Sequence, residues 1–157
     1  TKHLRAALRI PSAANKAPET APCYTPAMSI LVIDDEKGLR DMLCYALRRR
    51  RYKVRAEDSA EAGIAAARTE DFDVIICDVM MPGMNGIQAL AILKSEHPAT
   101  EVILVTGYPD TETAAQVMAQ GAFDYLAKPY ELAALCALLE KAVANKRAGA
   151  LRTGTEL

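Results

Sequence analysis

The stretch VIICDVMMPGMNG, residues 74–86, runs four apolar residues straight into Asp78 and then breaks the chain at Pro82 and Gly83. A short apolar run bounded by turn residues reads as a strand buried on both faces. A carboxylate inside such a strand would be costly to desolvate, so Asp78 is expected at the strand's end. Pro82 and Gly83 turn the chain, and Asn85 can cap the helix GIQALAILKSE that follows.

Outward from this stretch the pattern alternates. SILVI (29–33), DVIIC (73–77) and EVILV (101–105) are apolar runs, whereas KVRAE (53–57) and FDYLA (123–127) interleave charges. Between them apolar residues recur at helical spacing. Leu39, Met42, Leu43, Ala46 and Leu47 mark one helix, and Leu132, Leu135, Cys136, Leu139 and Val143 mark the last. Asp58 or Ser59 can cap AEAGIAAARTE; Asp110 can cap TETAAQVMAQ, which Gly121 ends.

Strands alternating with helices predict an α/β fold: a doubly wound, five-stranded parallel sheet with five helices on its two faces. The all-apolar strands are buried on both sides and therefore central; the charged ones are edges. The order 2-1-3-4-5 satisfies this, with a topological switch between strands 1 and 3. Ligands of such sheets bind at the carboxyl ends of the strands beside the switch.

The chain's 157 residues, 51% of them hydrophobic, suit one domain with modest tails. The net charge of −1 gives no electrostatic case for a direct nucleic-acid binder. Residues 1–27 carry Lys2, Arg5, Arg9 and Lys16 against Glu19, while residues 148–157 carry Arg152 against Glu156. The central section, 28–147, is therefore the acidic part. Residues 11–27 are rich in Pro and Ala and read as a linker, so 1–27 is expected to be an extension and 148–157 a flexible tail. TKHLRAALRI is basic and poor in acids, a stub or targeting segment, and Met28 offers an alternative start. Cys23, Cys44, Cys77 and Cys136 form no CxxC pair, which argues against a structural zinc site and for reduced thiols in the cytoplasm. No apolar run reaches the roughly 18 residues that span a bilayer.

The strand ends carry the chemistry. Strand 1 ends at Asp34 and Asp35, strand 3 at Asp78, strand 4 at Thr106 and strand 5 at Lys128. Each has a plain reading alone: Asp35 as a helix cap, Asp78 as a turn former, Thr106 as a turn residue, Lys128 as a solvated lysine. All five fall on one rim of one sheet. Carboxylates so close together repel and raise one another's pKa. A divalent cation relieves this, and an oxygen-only donor set with open positions suits Mg²⁺ and phosphate.

ILVIDDE, VIICDVMMPGMNG, VILVTGY and GAFDYLAKPY together resemble the receiver domain of two-component response regulators, over about residues 29–147. That resemblance implies a flavodoxin-like fold. It implies that Asp78 is the phospho-acceptor and that Asp34, Asp35, Asp78 and the Met80 backbone carbonyl hold Mg²⁺. Thr106 would bind a phosphoryl oxygen, Lys128 would pair with the phosphoryl group, and the Lys128–Pro129 bond would be cis. Thr106 and Tyr125 would form the switch. The donor would be a histidine kinase or phosphotransfer protein, and the helix 4–strand 5–helix 5 face would serve output and homodimerisation.

Some positions depart from the family pattern. Arg51 stands where glycine often ends the first helix, so that end is expected to be looser or built differently. The run RRRR (48–51) reads as a solvated helix end favoured by the helix dipole. Asn85 replaces the commoner Asp cap. Met80 and Tyr108, two residues beyond Asp78 and Thr106, are bulky and neither is acidic, which predicts slow self-dephosphorylation. RAGALRTGTEL after the last helix is too short for a helix-turn-helix or an ATPase, leaving a single-domain regulator or a receiver from a larger protein. Two other functions compete: a phosphorylation-independent interaction module, and a phosphatase with an Asp nucleophile. The phosphatase would want an acid where Met80 stands.

Overall fold

A computed structural model describes residues 27–153; the readings of the stub, of Cys23 and of most of the linker lie outside the described residues. Ten elements alternate strictly: β1 (Ser29–Ile33), α1 (Lys37–Arg49), β2 (Lys53–Glu57), α2 (Ala60–Thr69), β3 (Val74–Asp78), α3 (Gly86–Glu96), β4 (Glu101–Thr106), α4 (Thr111–Ala119), β5 (Asp124–Ala127) and α5 (Leu132–Thr153). The strands pair in parallel in the order β2-β1-β3-β4-β5. This is the flavodoxin-like, doubly wound sheet expected from the strand chemistry.

The period-2 alternation of the strands divides the core in two. Leu31, Ile33, Ile75, Cys77, Val102 and Leu104 pack with residues of α2, α3 and α4. Ile30, Val32, Val74, Ile76, Ile103 and Val105 point the other way, onto α1 and α5. Every residue of β3 is buried, which is why this strand tolerates no charge before its last position.

Helix starts follow local chemistry. Ser59 Oγ accepts the Ala62 N–H, and Asp110 accepts that of Thr113. Asn85 and Gln88 form a reciprocal capping box, so Asn serves as well as Asp there. Asp35 is not a cap: α1 begins at Lys37, and Glu36 at its N-cap uses no side-chain bond. Asp34 Oδ1 instead accepts the Glu36 N–H at 2.8 Å, which leaves Asp35 free for other work.

Two corrections concern helix ends. The end of α1 is not looser than usual. Arg51 adopts φ 68°, and the Arg51 and Tyr52 amides bond to the carbonyls of Arg48 and Leu47. This is the full Schellman closure that glycine normally serves. Gly121 does the same after α4, at φ 95°, with Gly121 and Ala122 bonding back to Met118 and Val117. The second correction is at α5, which continues through Thr153, past the boundary expected at 147. RAGALRT is mostly good helix formers, and the single Gly149 does not outweigh them. Among the described residues no helix is long and apolar enough to cross a membrane.

Candidate functional site

The carboxyl ends of β1, β3, β4 and β5 meet at one rim. Asp78 and Thr106 are the last residues of β3 and β4 rather than the first beyond them, because Asp78 still pairs in register with Val105. Both are buried, Asp78 at 5% and Thr106 at 1% exposure. The five residues picked out by sequence are thus brought together, with the acids of β1 and β3 on adjacent strands.

Asp34 is fixed at every polar atom. Its N–H donates to the Glu57 carbonyl on β2, and its own carbonyl accepts Arg40 Nη1 from α1 at 2.8 Å. Its Oδ1 accepts the Glu36 amide, and its Oδ2 takes Lys128 Nζ at 3.4 Å. Asp78 is held similarly: Oδ1 accepts the Met80 N–H at 3.1 Å and Oδ2 takes Lys128 Nζ at 2.8 Å. Lys128 is itself anchored, since its backbone N–H donates to the Thr106 carbonyl. The Lys128–Pro129 bond is cis. Asp35 is exposed and, among the described residues, has no hydrogen bond or ion pair.

The charges do not balance. Carboxylate oxygens of Asp34, Asp35 and Asp78 all lie within 4.8 Å of one another, and one ammonium serves two of them. Burial raises the Asp34 pKa, against the lowering effect of the Glu36 amide and Lys128. The neighbouring Asp78 adds to the rise, so repulsion contributes but burial dominates. For Lys128 burial pulls the pKa down, but Asp78 and Asp34 outweigh it and leave it raised. The ammonium is held charged. Three hard oxygen donors with excess negative charge fit Mg²⁺.

Two large apolar side chains lie near this centre at the ends of β3 and β4. Met80 is 55% exposed and Tyr108 73%. Thr106 Oγ1 accepts the Tyr108 N–H at 3.1 Å. Tyr125 on β5 packs against the α2–α3–α4 core, and its hydroxyl donates to the Tyr108 carbonyl at 3.5 Å. The half-buried Tyr130 phenol beside Lys128 is pushed up to about 12, chiefly by burial.

Sequence reasoning missed Arg40, whose guanidinium holds the Asp34 carbonyl, and Gly86. A Cβ on Gly86 would collide with the Asp78 carbonyl oxygen and lie 2.8 Å from Val79 Cα. The first residue of α3 therefore rests directly on the backbone of Asp78. The Asn-Gly pair after the turn, read only as a cap, was the available signal.

A parallel sheet in the order 2-1-3-4-5 with acids, a hydroxyl and a lysine at its strand ends defines a phosphate-handling α/β signalling domain. Comparison sharpens this: residues 30–140 match the response regulator receiver domain family, and the chain belongs to that family. It is 36% identical over 128 residues to response regulator protein FleR of Pseudomonas aeruginosa, covering 82% of this chain and 27% of that one. It is 35% identical over 119 residues to the DNA-binding transcriptional regulator NtrC of Proteus hauseri, covering 76% and 25%. The CheY-like receiver domain structure from Methanospirillum hungatei superposes with a TM-score of 0.77 at 25% identity, covering 79% of this chain and 99% of that one. The chain thus spans about a quarter of the curated relatives and nearly all of the solved receiver.

Proposed function

We propose that Asp78 accepts a phosphoryl group from a phosphohistidine on a partner kinase or phosphotransfer protein. The observation that carries this is Lys128 Nζ, which bridges Asp78 and Asp34 at 2.8 and 3.4 Å beside Asp35, unpartnered among the described residues. An Asp78 carboxylate oxygen attacks phosphorus, and the phosphorus–nitrogen bond breaks with its electron pair leaving on the imidazole. Such transfer needs positioning and charge neutralisation more than a strong nucleophile. Lys128 supplies a fixed positive charge, and the Thr106 hydroxyl supplies a donor to a phosphoryl oxygen. The carboxylates of Asp34, Asp35 and Asp78 and the Met80 carbonyl would hold Mg²⁺, which when bound offsets the charge of the transferring oxygens.

Signalling follows from two arrangements of one face. Drawing Thr106 toward the phosphoryl group changes its contact with the Tyr108 amide, and Tyr125 responds through its own bond to Tyr108. The phosphorylated site then favours one state of the α4–β5–α5 face. That face is the proposed output and homodimer surface. The cytoplasm is the proposed compartment, since Cys44, Cys77 and Cys136 are free and buried. Direct DNA contact is not assigned to residues 28–147, whatever longer relatives carry elsewhere. The complete set of strand-end residues argues against a phosphorylation-independent module. Met80 provides no general acid for a phosphatase.

The test is to incubate the protein with Mg²⁺ and a small phosphodonor and weigh it intact. One phosphoryl adduct, absent from Asp78→Asn and from samples with chelator, is expected. No adduct would favour the interaction module, and donor turnover without adduct the phosphatase.

A further inference from the structure

We propose that Glu61, in the first turn of α2, is a positioning residue for the β3–α3 loop and, through it, for the Met80 carbonyl. The inference rests on the Mg²⁺ reading of the site. The loop between β3 and α3 is fastened along its length: at its first residue the Val79 N–H donates to the Val105 carbonyl of β4 at 2.8 Å, and at its last the Asn85 N–H donates to Gln88 Oε1 at 3.0 Å. Near its start the Met80 N–H donates to Asp78 Oδ1 at 3.1 Å. At its neck the Gly86 N–H donates to the Val79 carbonyl at 2.9 Å. At its tip the Met84 N–H donates to Glu61 Oε1 at 3.2 Å. The Met80, Asn85 and Gly86 bonds are internal to the segment, and the Val79 bond ties only the loop's first residue to β4. The Met84 bond comes from another helix and ties the far end of the loop to α2.

Two further observations place the carboxylate under the turn. Gly83 has φ 75°, and a Cβ there would lie 3.3 Å from Glu61 Oε1, tighter than ordinary contact. The turn therefore leaves room for the carboxylate where a side chain would press on it. Glu61 makes no ion pair among the described residues, and Met84 is its one hydrogen-bond partner there. An acid in the first turn of a helix also favours the helix dipole, which is the purely structural role to be separated.

A metal-ligating carbonyl works only while it is held in place. If the loop occupies the binding arrangement for a fraction of the time, the apparent Mg²⁺ affinity falls by that fraction. Releasing the tip lowers the fraction without touching a ligand.

The experiment compares wild type, Glu61→Ala and Glu61→Gln by calorimetric Mg²⁺ titration, and by amide exchange of Met81, Gly83 and Met84 in metal-free protein. Glu61→Ala should weaken Mg²⁺ binding about threefold and speed exchange of these amides. Glu61→Gln removes the charge but keeps an acceptor oxygen, so it should stay close to wild type in both. Wild-type affinity and exchange in Glu61→Ala would overturn the proposal. So would Glu61→Gln behaving like Glu61→Ala, which would assign the effect to the helix dipole. A wild-type protein that binds no Mg²⁺ would sink the metal reading and this inference together, a result distinct from the other two.

Discussion

Lys128 Nζ sits 2.8 Å from Asp78 Oδ2, joining the ends of β5 and β3 across the intervening β4. The proposed acceptor carboxylate is thus paired with a cation before any phosphoryl group arrives. The same ammonium reaches Asp34 at 3.4 Å, so one charge is shared by two buried acids. Burial of Asp34, only partly offset by this shared ammonium, sets the stability cost of the site.

Asp34 should therefore be destabilising when ionised. Its pKa is raised by burial, so the folded chain holds the proton more tightly than the unfolded chain. The favourable contribution of its protonated form is complete below the unfolded value of 3.8 and is lost as pH rises through the higher folded value. At neutral pH Asp34→Asn should raise stability by about 1 kcal/mol while abolishing Mg²⁺ binding. Urea unfolding with and without Mg²⁺ checks both halves; a less stable variant would refute the first.

Arg51→Gly should stabilise the protein by about 0.5–1 kcal/mol, because φ 68° suits glycine and strains arginine. The unfolding midpoint in urea should rise with an unchanged slope. An equal change at Arg50, which closes α1 at φ −87°, should lower it.

Gly86→Ala should cost about 1–3 kcal/mol, since its Cβ would meet the Asp78 and Val79 backbone rather than a flexible side chain. The strain falls on Asp78, the proposed acceptor, itself. Phosphorylation by a small donor should slow even at temperatures where the variant is fully folded, and an unchanged rate there would show that the contact is only structural.

Met80→Asn should hasten loss of the phosphoryl group several-fold. Met80 is 55% exposed at the rim and offers an incoming water neither a hydrogen bond nor a polar path. Decay of the phosphorylated protein, followed by intact mass, reads this directly. Decay no faster than in the parent would mean that Met80 does not control access.

Strand order was legible because charge separates edge from centre: Arg55 and Asp124 lie in edge strands, and β3 carries none before Asp78. The five strand-end residues were legible because topology alone sends strand termini to one rim. Arg40 and Glu61 were not, because they bind backbone atoms, the Asp34 carbonyl and the Met84 amide, whose positions exist only in the tertiary fold. Nor was the end of α5, where the helix propensity of neighbouring Ala, Leu and Arg outweighs Gly149.

The central claim is that one oxygen of Asp78 carries the phosphoryl group. Reduction of the phosphorylated protein with borohydride, followed by peptide sequencing, tests it at residue level, because an aspartyl phosphate is converted to homoserine and an unmodified carboxylate is not. The expected result is homoserine at position 78 alone, and only when Mg²⁺ was present. Homoserine at 34 or 35, or none after a confirmed adduct, would contradict it.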